Sequence, residues 1–210
     1  MKTSILRGLA AAAFLFLAST AHAQWDTYRP DRSLWLVGWG LGQAIGDLAD
    51  YQNGTSVAGF SMEFRSIVKP RISAGLAFDY NRFERTNSLE TVAQPGGGTL
   101  SAPTFRYADD FGIKVTGHYY LRDAGLRPYL GAGIGGNWSY AYGQTADLGS
   151  TDTDFSFLVT PEVGILWDLA AGKSAVSLNL ALRYSWTASD FRGVTDAQWL
   201  SEVIGISVSY

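Results

Sequence analysis

The sequence predicts an all-β fold, an eight-stranded antiparallel up-and-down β-barrel, and three observations lead there. Apolar residues recur at every second position in eight segments after residue 23. Glycines and aromatics are abundant, with 24 Gly, 11 Tyr, 11 Phe and 7 Trp. The connections between segments alternate between short and long. Period two marks half-buried strands, because successive side chains leave a strand on opposite faces.

The first strand sets Trp35, Val37, Trp39 and Leu41 against Leu36, Gly38, Gly40 and Gly42. The second sets Ala58, Phe60, Met62 and Phe64 against Gly59, Ser61, Glu63 and Arg65; after a tight turn at Lys69-Pro70 the third sets Ile72 to Tyr80 against Ser73, Gly75, Ala77, Asp79 and Asn81. The fourth carries Phe111, Ile113, Val115, Tyr119 and Leu121 opposite Gly112, Lys114, Thr116, His118 and Tyr120. Leu130, Ala132 and Ile134 face away from Tyr129, Gly131, Gly133 and Gly135 in the fifth. The sixth runs through Phe157, Val159, Val163, Ile165 and Trp167, with Glu162 and Gly164 on its other face. Pro161 lies within it and predicts a local bulge, since proline cannot donate to a ladder. The seventh alternates from Val176 to Trp186, and the eighth sets Ile204, Ile206, Val208 and Tyr210 against Gly205, Ser207 and Ser209. No helical periodicity is evident after residue 23. Short turns are expected near 66–70, 122–128 and 168–174, and long polar loops near 45–56, 84–107, 140–154 and 187–198.

The first residues read as an export signal. Lys2 and Arg7 precede the apolar run Leu9 to Leu17, and Ala21-His22-Ala23 offers small residues flanking a bulkier one. Cleavage is expected after Ala23, giving a signal peptide over 1–23 and a barrel domain over 24–210. The apolar run is shorter than the roughly 20 residues of a spanning helix. Loss of Lys2 and Arg7 takes 16 basic residues to 14 against 19 acidic ones, a formal charge of −5. Nucleic acid is therefore not an expected partner. The chain has no cysteine, so no disulfide staples it.

Period two alone does not say which face of a barrel is wet. A soluble barrel carries Lys, Glu, Gln and Thr on its polar face. Here that face is mainly Gly, Ser, Ala and Asn with sparse charges, and charged residues make up only 17% of the chain, against roughly 25% in soluble domains. Small residues suit the narrow interior of an eight-stranded barrel. The opposite face suits lipid, with Trp and Tyr at the interfaces. The expected fold is thus a transmembrane barrel with its short turns and both termini in the periplasm.

The terminal Ile204-Gly205-Ile206-Ser207-Val208-Ser209-Tyr210 and the segment from Leu126 to Gly136 carry a resemblance to the small outer-membrane β-barrel proteins of the OmpA-barrel and OmpX-like kind. The resemblance covers all of 24–210. It implies that the barrel-assembly machinery reads Tyr210, Val208 and Ile206, although phenylalanine is the usual last residue. It also implies a bacterial outer-membrane location in a Gram-negative envelope.

Candidate chemistry is sparse. Gly131 to Gly136 satisfies G-x-G-x-x-G, but no helix pattern follows to hold a pyrophosphate. His118, the sole histidine after residue 23, points inward on the strand pattern, away from the lipid face where barrel lipases keep their catalytic groups. No catalytic, cofactor or metal site is assigned. Glu63, Arg65, Asp79, Lys114, His118, Glu162 and Arg183 share the inward face and must pair, since an isolated buried charge costs several kcal/mol. They form either a static plug or a gated polar path. Asp147, Asp152, Asp154, Asp190 and Asp196 sit in loops, without the spacing of a calcium loop.

The function expected is a non-enzymatic, monomeric integral outer-membrane protein that contributes to envelope structure and presents extracellular loops. Its partners are outer-membrane lipid and lipopolysaccharide, with the assembly machinery during insertion. The alternatives are a narrow porin-like channel for water or small ions and, behind it, a lipid-modifying enzyme. Because the sequence ends at Tyr210, no peptidoglycan-binding domain is expected to follow the barrel.

Overall fold

A computed structural model describes residues 33–52, 54–93, 97–145, 148–169 and 175–209. The expected signal segment 1–23, Tyr210, Gly96 and Asp147 lie outside these residues. The chain forms β1 (Ser33–Ile45), α1 (Asp47–Gln52), β2 (Thr55–Lys69), β3 (Ile72–Ala93), β4 (Thr99–Tyr120), β5 (Leu126–Thr145), β6 (Leu148–Asp168) and β7 (Ala175–Thr187). Two short strands, β8 (Asp190–Phe191) and β9 (Val194–Thr195), precede β10 (Gln198–Ser209). Eight strands close into a barrel in the order β1-β10-β7-β6-β5-β4-β3-β2, each antiparallel to its neighbours. Closure through Leu34↔Ser209 to Ile45↔Gln198 leaves no free edge between the first and last strands.

The alternation assigns the faces as the sequence implies. Leu76, Ile113, Val115, Leu130, Ile134 and Ile206 all point outward with more than half of their surface exposed. A continuous apolar belt of this extent far exceeds what a soluble monomer leaves to water. Aromatics gather at its two margins. At the short-turn end Trp35 packs on Phe64 with ring centroids 5.0 Å apart, and at the other end Tyr80 packs on Phe111 at 5.0 Å. Glu202 is an exception on the outer face of β10, level with Leu41 and Leu182.

Three expectations need correction. Pro161 causes no bulge: β5 pairs through it in register, with Ala132 opposite. Towards β7 the ladder omits the steps at Thr160 and Pro161, then resumes at Glu162↔Arg183 in the register it had at Leu158↔Thr187. A lone missing N–H needs no inserted residue when the flanking pairs hold the strands. The register shifts lie in other strands: at Val57-Ala58 on β2 between Gly40 and Gly42 of β1, where the Trp39 indole donates to the Val57 carbonyl at 2.8 Å, between Ile67 and Lys69 of β2 against β3, and between Asn87 and Glu90 of β3 against β4.

The second correction concerns 84–107 and 140–154, which are largely strand and not loop. β3 and β4 pair from Ile72↔Tyr119 to Ala93↔Thr99, and β5 and β6 pair to Thr145↔Leu148. Each of β3 and β4 has 22 residues, a contour of about 75 Å at some 3.4 Å per residue. Tilted by roughly 40° they rise about 55 Å, well past a hydrocarbon core of some 30 Å. A polar strand has no hydrophobic alternation to betray it, and cross-strand pairing alone keeps it extended.

Thirdly, helix does occur after residue 23. Gly46 turns the chain at φ 58°, and Asp47 and Asp50 stand in the first turn of α1, where carboxylates suit the positive helix end. Six residues are too few to show a period. The loop 187–198 also folds, as the β8–β9 hairpin.

Replacing Pro161 with valine restores the missing donor on a lipid-facing position. The expected result is a gain of about 1 kcal/mol, read as a higher urea midpoint for the barrel in micelles.

Candidate functional site

The lumen is filled in three layers. At the short-turn end Leu34, Ile67, Tyr120, Tyr129 and Leu166 form a buried apolar cluster. At the opposite end α1 and the β8–β9 hairpin fold inward. There Leu48, Phe191, Val194 and Ala197 pack on Ala44, Phe83, Ala141, Leu158 and Trp199 of the wall. Between these two plugs lies the charged layer.

The structure brings together all seven inward residues singled out in the sequence. Arg183 is the hub. Its Nε donates to Glu162, its Nη1 to Asp79 at 2.8 Å and Ser61 at 2.6 Å, and its Nη2 to Glu63 at 3.3 Å. Arg65 Nη2 reaches Glu63 at 2.8 Å and Glu162 at 3.1 Å. Lys114 pairs with Asp79. His118 Nε2 stands 3.5 Å from both Glu63 and Glu162, while its Nδ1 lies 3.3 Å from Ser73 Oγ. Three carboxylates thus face three permanent cations, so the layer is neutral without the imidazole.

Neutral hydroxyls complete the layer, outside the set of inward charges that the sequence singles out. Thr116 donates to Glu63 at 2.7 Å, Tyr129 to Glu162 at 2.7 Å, and Arg65 to Tyr120 at 3.4 Å. All lie on the inward parity of their strands, so position alone offered the signal. What parity does not give is height: residues 63, 116, 162 and 183 meet only once the strand register is known. A second inward cluster above the layer joins Asp110 to Asn137 at 2.8 Å and Ser139 at 2.6 Å, and below it Arg127 pairs with Asp168 at 2.6 Å.

The glycine run of β5 makes room for this chemistry. A Cβ on Gly131 would stand 2.5 Å from the His118 ring, and one on Gly133 would stand 2.8 Å from Lys114 Cδ. The G-x-G-x-x-G segment therefore lines the strand wall against two long side chains. Glu63, His118 and Glu162 place ligand-type atoms within 4.8 Å of one another. The same carboxylates are already occupied by Arg65 and Arg183, and two guanidinium groups repel a further cation. Asp154 is taken up by the Asp190 backbone N–H at 3.2 Å, and Asp196 sits at φ 68° in the turn before β10.

With Arg183 changed to methionine, Glu162 and Asp79 lose their shared cation in a dry layer. The expected cost is about 3–5 kcal/mol, measured as a shift of the urea midpoint. Adding Glu162→Gln should recover part of it, because the remaining charges then balance better.

Comparison with known proteins leads to the same architecture. No protein-family model and no curated protein matches the sequence. Among solved structures, Ail, the attachment invasion locus protein of Yersinia pestis, aligns with TM-score 0.56 at 8% identity, over 87% of this chain and 100% of that one. Neisserial surface protein A aligns with TM-score 0.50 at 13% identity, over 87% and 98%. Identities this low report the fold alone. With its closed ring of eight strands, its apolar outer belt and its filled polar interior, the chain has the fold of the small eight-stranded outer-membrane β-barrel proteins.

Proposed function

We propose that this is a non-enzymatic integral outer-membrane protein that reinforces the envelope and presents a rigid surface outside the cell. The observation that carries the reading is the sealed lumen. Two apolar plugs flank a neutral charged layer, and the cavity beside Arg183 and Asp79 measures about 10 Å³, space for one water. A barrel filled this way supplies rigidity and no route.

Surface chemistry lies instead on the overhang of β3 to β6. Arg82 holds Asp109 through two hydrogen bonds of 2.8 and 2.9 Å and stacks over Tyr107, whose ring lies 5.2 Å from that of Tyr142. Short turns at the other end favour an orientation with the overhang outside and both termini in the periplasm. Lipid and lipopolysaccharide are then the partners of the outer belt. Val208 and Ile206 face that belt, where the assembly machinery would meet them beside Tyr210. His118 is buried in the charged layer, out of reach of a lipid substrate.

A narrow channel is the second reading. Its support is the sharing of partners: Arg183 touches three carboxylates, so ion pairs could exchange and open a polar path. Planar bilayers decide between them. The purified protein is expected to show no conductance steps above the lipid baseline, and Arg183→Ala is expected to lower stability without opening a path. Discrete steps from the unaltered barrel would establish the channel instead. Unchanged lipid A by mass spectrometry, in cells with and without the protein, is the outcome expected for a barrel without enzymatic activity.

A further inference from the structure

We propose that the outer wall of the barrel carries a binding groove for a single-chain lipid with a protonated amine head, its ammonium paired with Glu202 and its chain laid across β10, β7, β6 and β5. The inference rests on the membrane setting of the barrel and not on its sealed lumen.

A groove of about 580 Å³ crosses this face, within the size of ligand pockets, roughly 300–1,000 Å³. It follows one row of ladder partners: Leu41↔Glu202, Glu202↔Leu182, Leu182↔Val163 and Val163↔Leu130. Those side chains form one flank, and Trp39, Ile204 and Leu180, paired in the same way, form the other. Between the flanks Ala181 and Val203 turn inward and are buried, so the floor is strand backbone. Leu121 and Pro128 line the groove at its β5 end. The strands from β1 to β5 in this row are neighbours in the barrel, and their four spacings of some 4.8 Å give a run of about 19 Å. That is the length of an extended hexadecyl chain. The flanks stand two residues apart on each strand, about 7 Å, which admits one hydrocarbon chain and not two.

Glu202 gives the groove its chemistry. Among the described residues it is the one charged side chain on the outer face between the Trp35–Phe64 and Tyr80–Phe111 aromatic pairs. Leu41 and Leu182 stand beside it in the ladder, and Leu200 and Ile204 flank it along β10. No hydrogen bond or ion pair joins it to another described residue. A carboxylate facing hydrocarbon costs free energy unless a cation reaches it, and an ionisable residue kept within a membrane marks a functional site.

The source of that cation is narrowed by the rest of the barrel. Arg183 lies on the other side of the strand wall, engaged with Glu63, Asp79 and Glu162. A second copy of the chain presents no cation in the same outer belt, so two barrels meeting here would oppose carboxylate to carboxylate. A metal ion or polyamine leaves the apolar groove unfilled. A two-chain lipid exceeds the width of the groove, and its phosphate is repelled by Glu202. A long-chain amine satisfies both parts at once. Its chain gains little from burial, because the surrounding lipid is equally apolar. Selectivity comes from the ammonium–carboxylate pair, which is strengthened by the low dielectric around it.

The test is methyl NMR of the full barrel in phosphatidylcholine nanodiscs, with hexadecylamine as the probe and hexadecanol as its uncharged counterpart. Hexadecylamine is expected to shift the methyls of Leu182, Val163 and Leu130 saturably, while Leu76 and Met62 on the opposite wall stay unmoved. Hexadecanol should bind at least about tenfold more weakly, for want of the charge-assisted pair. Glu202→Gln keeps the shape of the side chain and should weaken the amine by a similar factor while leaving the alcohol unchanged. Val163→Trp, at a lipid-facing position, should fill the groove and abolish the shift at Leu182. Heat-modifiable gel migration establishes that each variant is folded. The idea fails if the alcohol binds as well as the amine, or if either variant binds the amine as well as the unaltered chain. Equal shifts at Leu76 and Met62 would reduce the effect to lipid surrounding the whole barrel and overturn it too. Shifts of the groove methyls with protein concentration alone would place a second copy there instead. Bilayer conductance bears on the sealed-lumen reading and leaves this result untouched.

Discussion

An eight-stranded barrel has an interior just wide enough for its own side chains, and that constraint governs the rest of the molecule. Anything charged that enters must find its partner within the same few ångströms. Arg183, Arg65 and Lys114 meet Glu162, Glu63 and Asp79 at one height, and the hydroxyls of Thr116 and Tyr129 take up remaining acceptor positions. The β5 glycines follow from the same limit, since His118 and Lys114 occupy the volume that side chains there would need. Packing and electrostatics are one problem in this lumen.

The apolar plugs explain why the charges stay paired. Tyr120 and Tyr129 cap the layer at the short-turn end, and both are essentially inaccessible. Phe83, Leu158, Phe191 and Trp199 close the other end. With little water admitted, each ion pair acts in a medium of low dielectric, where breaking one costs far more than at a surface. The upper plug also does structural work beyond sealing. It draws α1 and the β8–β9 hairpin over the mouth, and thereby fixes Tyr51 and Arg192 against the emerging strands. The wall reaches past the bilayer because cross-strand pairing continues from Tyr80 to Ala93 on β3 and from Asn137 to Thr145 on β5. A rigid lumen below and a rigid sheet above therefore share the same four strands.

The sequence by itself determined the strand count, the antiparallel order and the side to which each spanning residue points. Hydrophobic alternation is a local property, and in a membrane the apolar side is recognisable because the opposite one is too small and too sparsely charged to suit water. It therefore identified Glu63, Arg65, Asp79, Lys114, His118, Glu162 and Arg183 as inward residues. Only the tertiary structure decided their height in the barrel, which depends on a register spanning up to 120 residues between partners such as Glu63 and Arg183. It also decided that 84–107 and 140–154 extend as strands, that Pro161 fits without a bulge, and that six residues after Gly46 coil into α1. Those segments lack an apolar period because they meet water or a plug and not lipid. Their conformation is set by pairing and burial with residues distant in the chain, which no local pattern records.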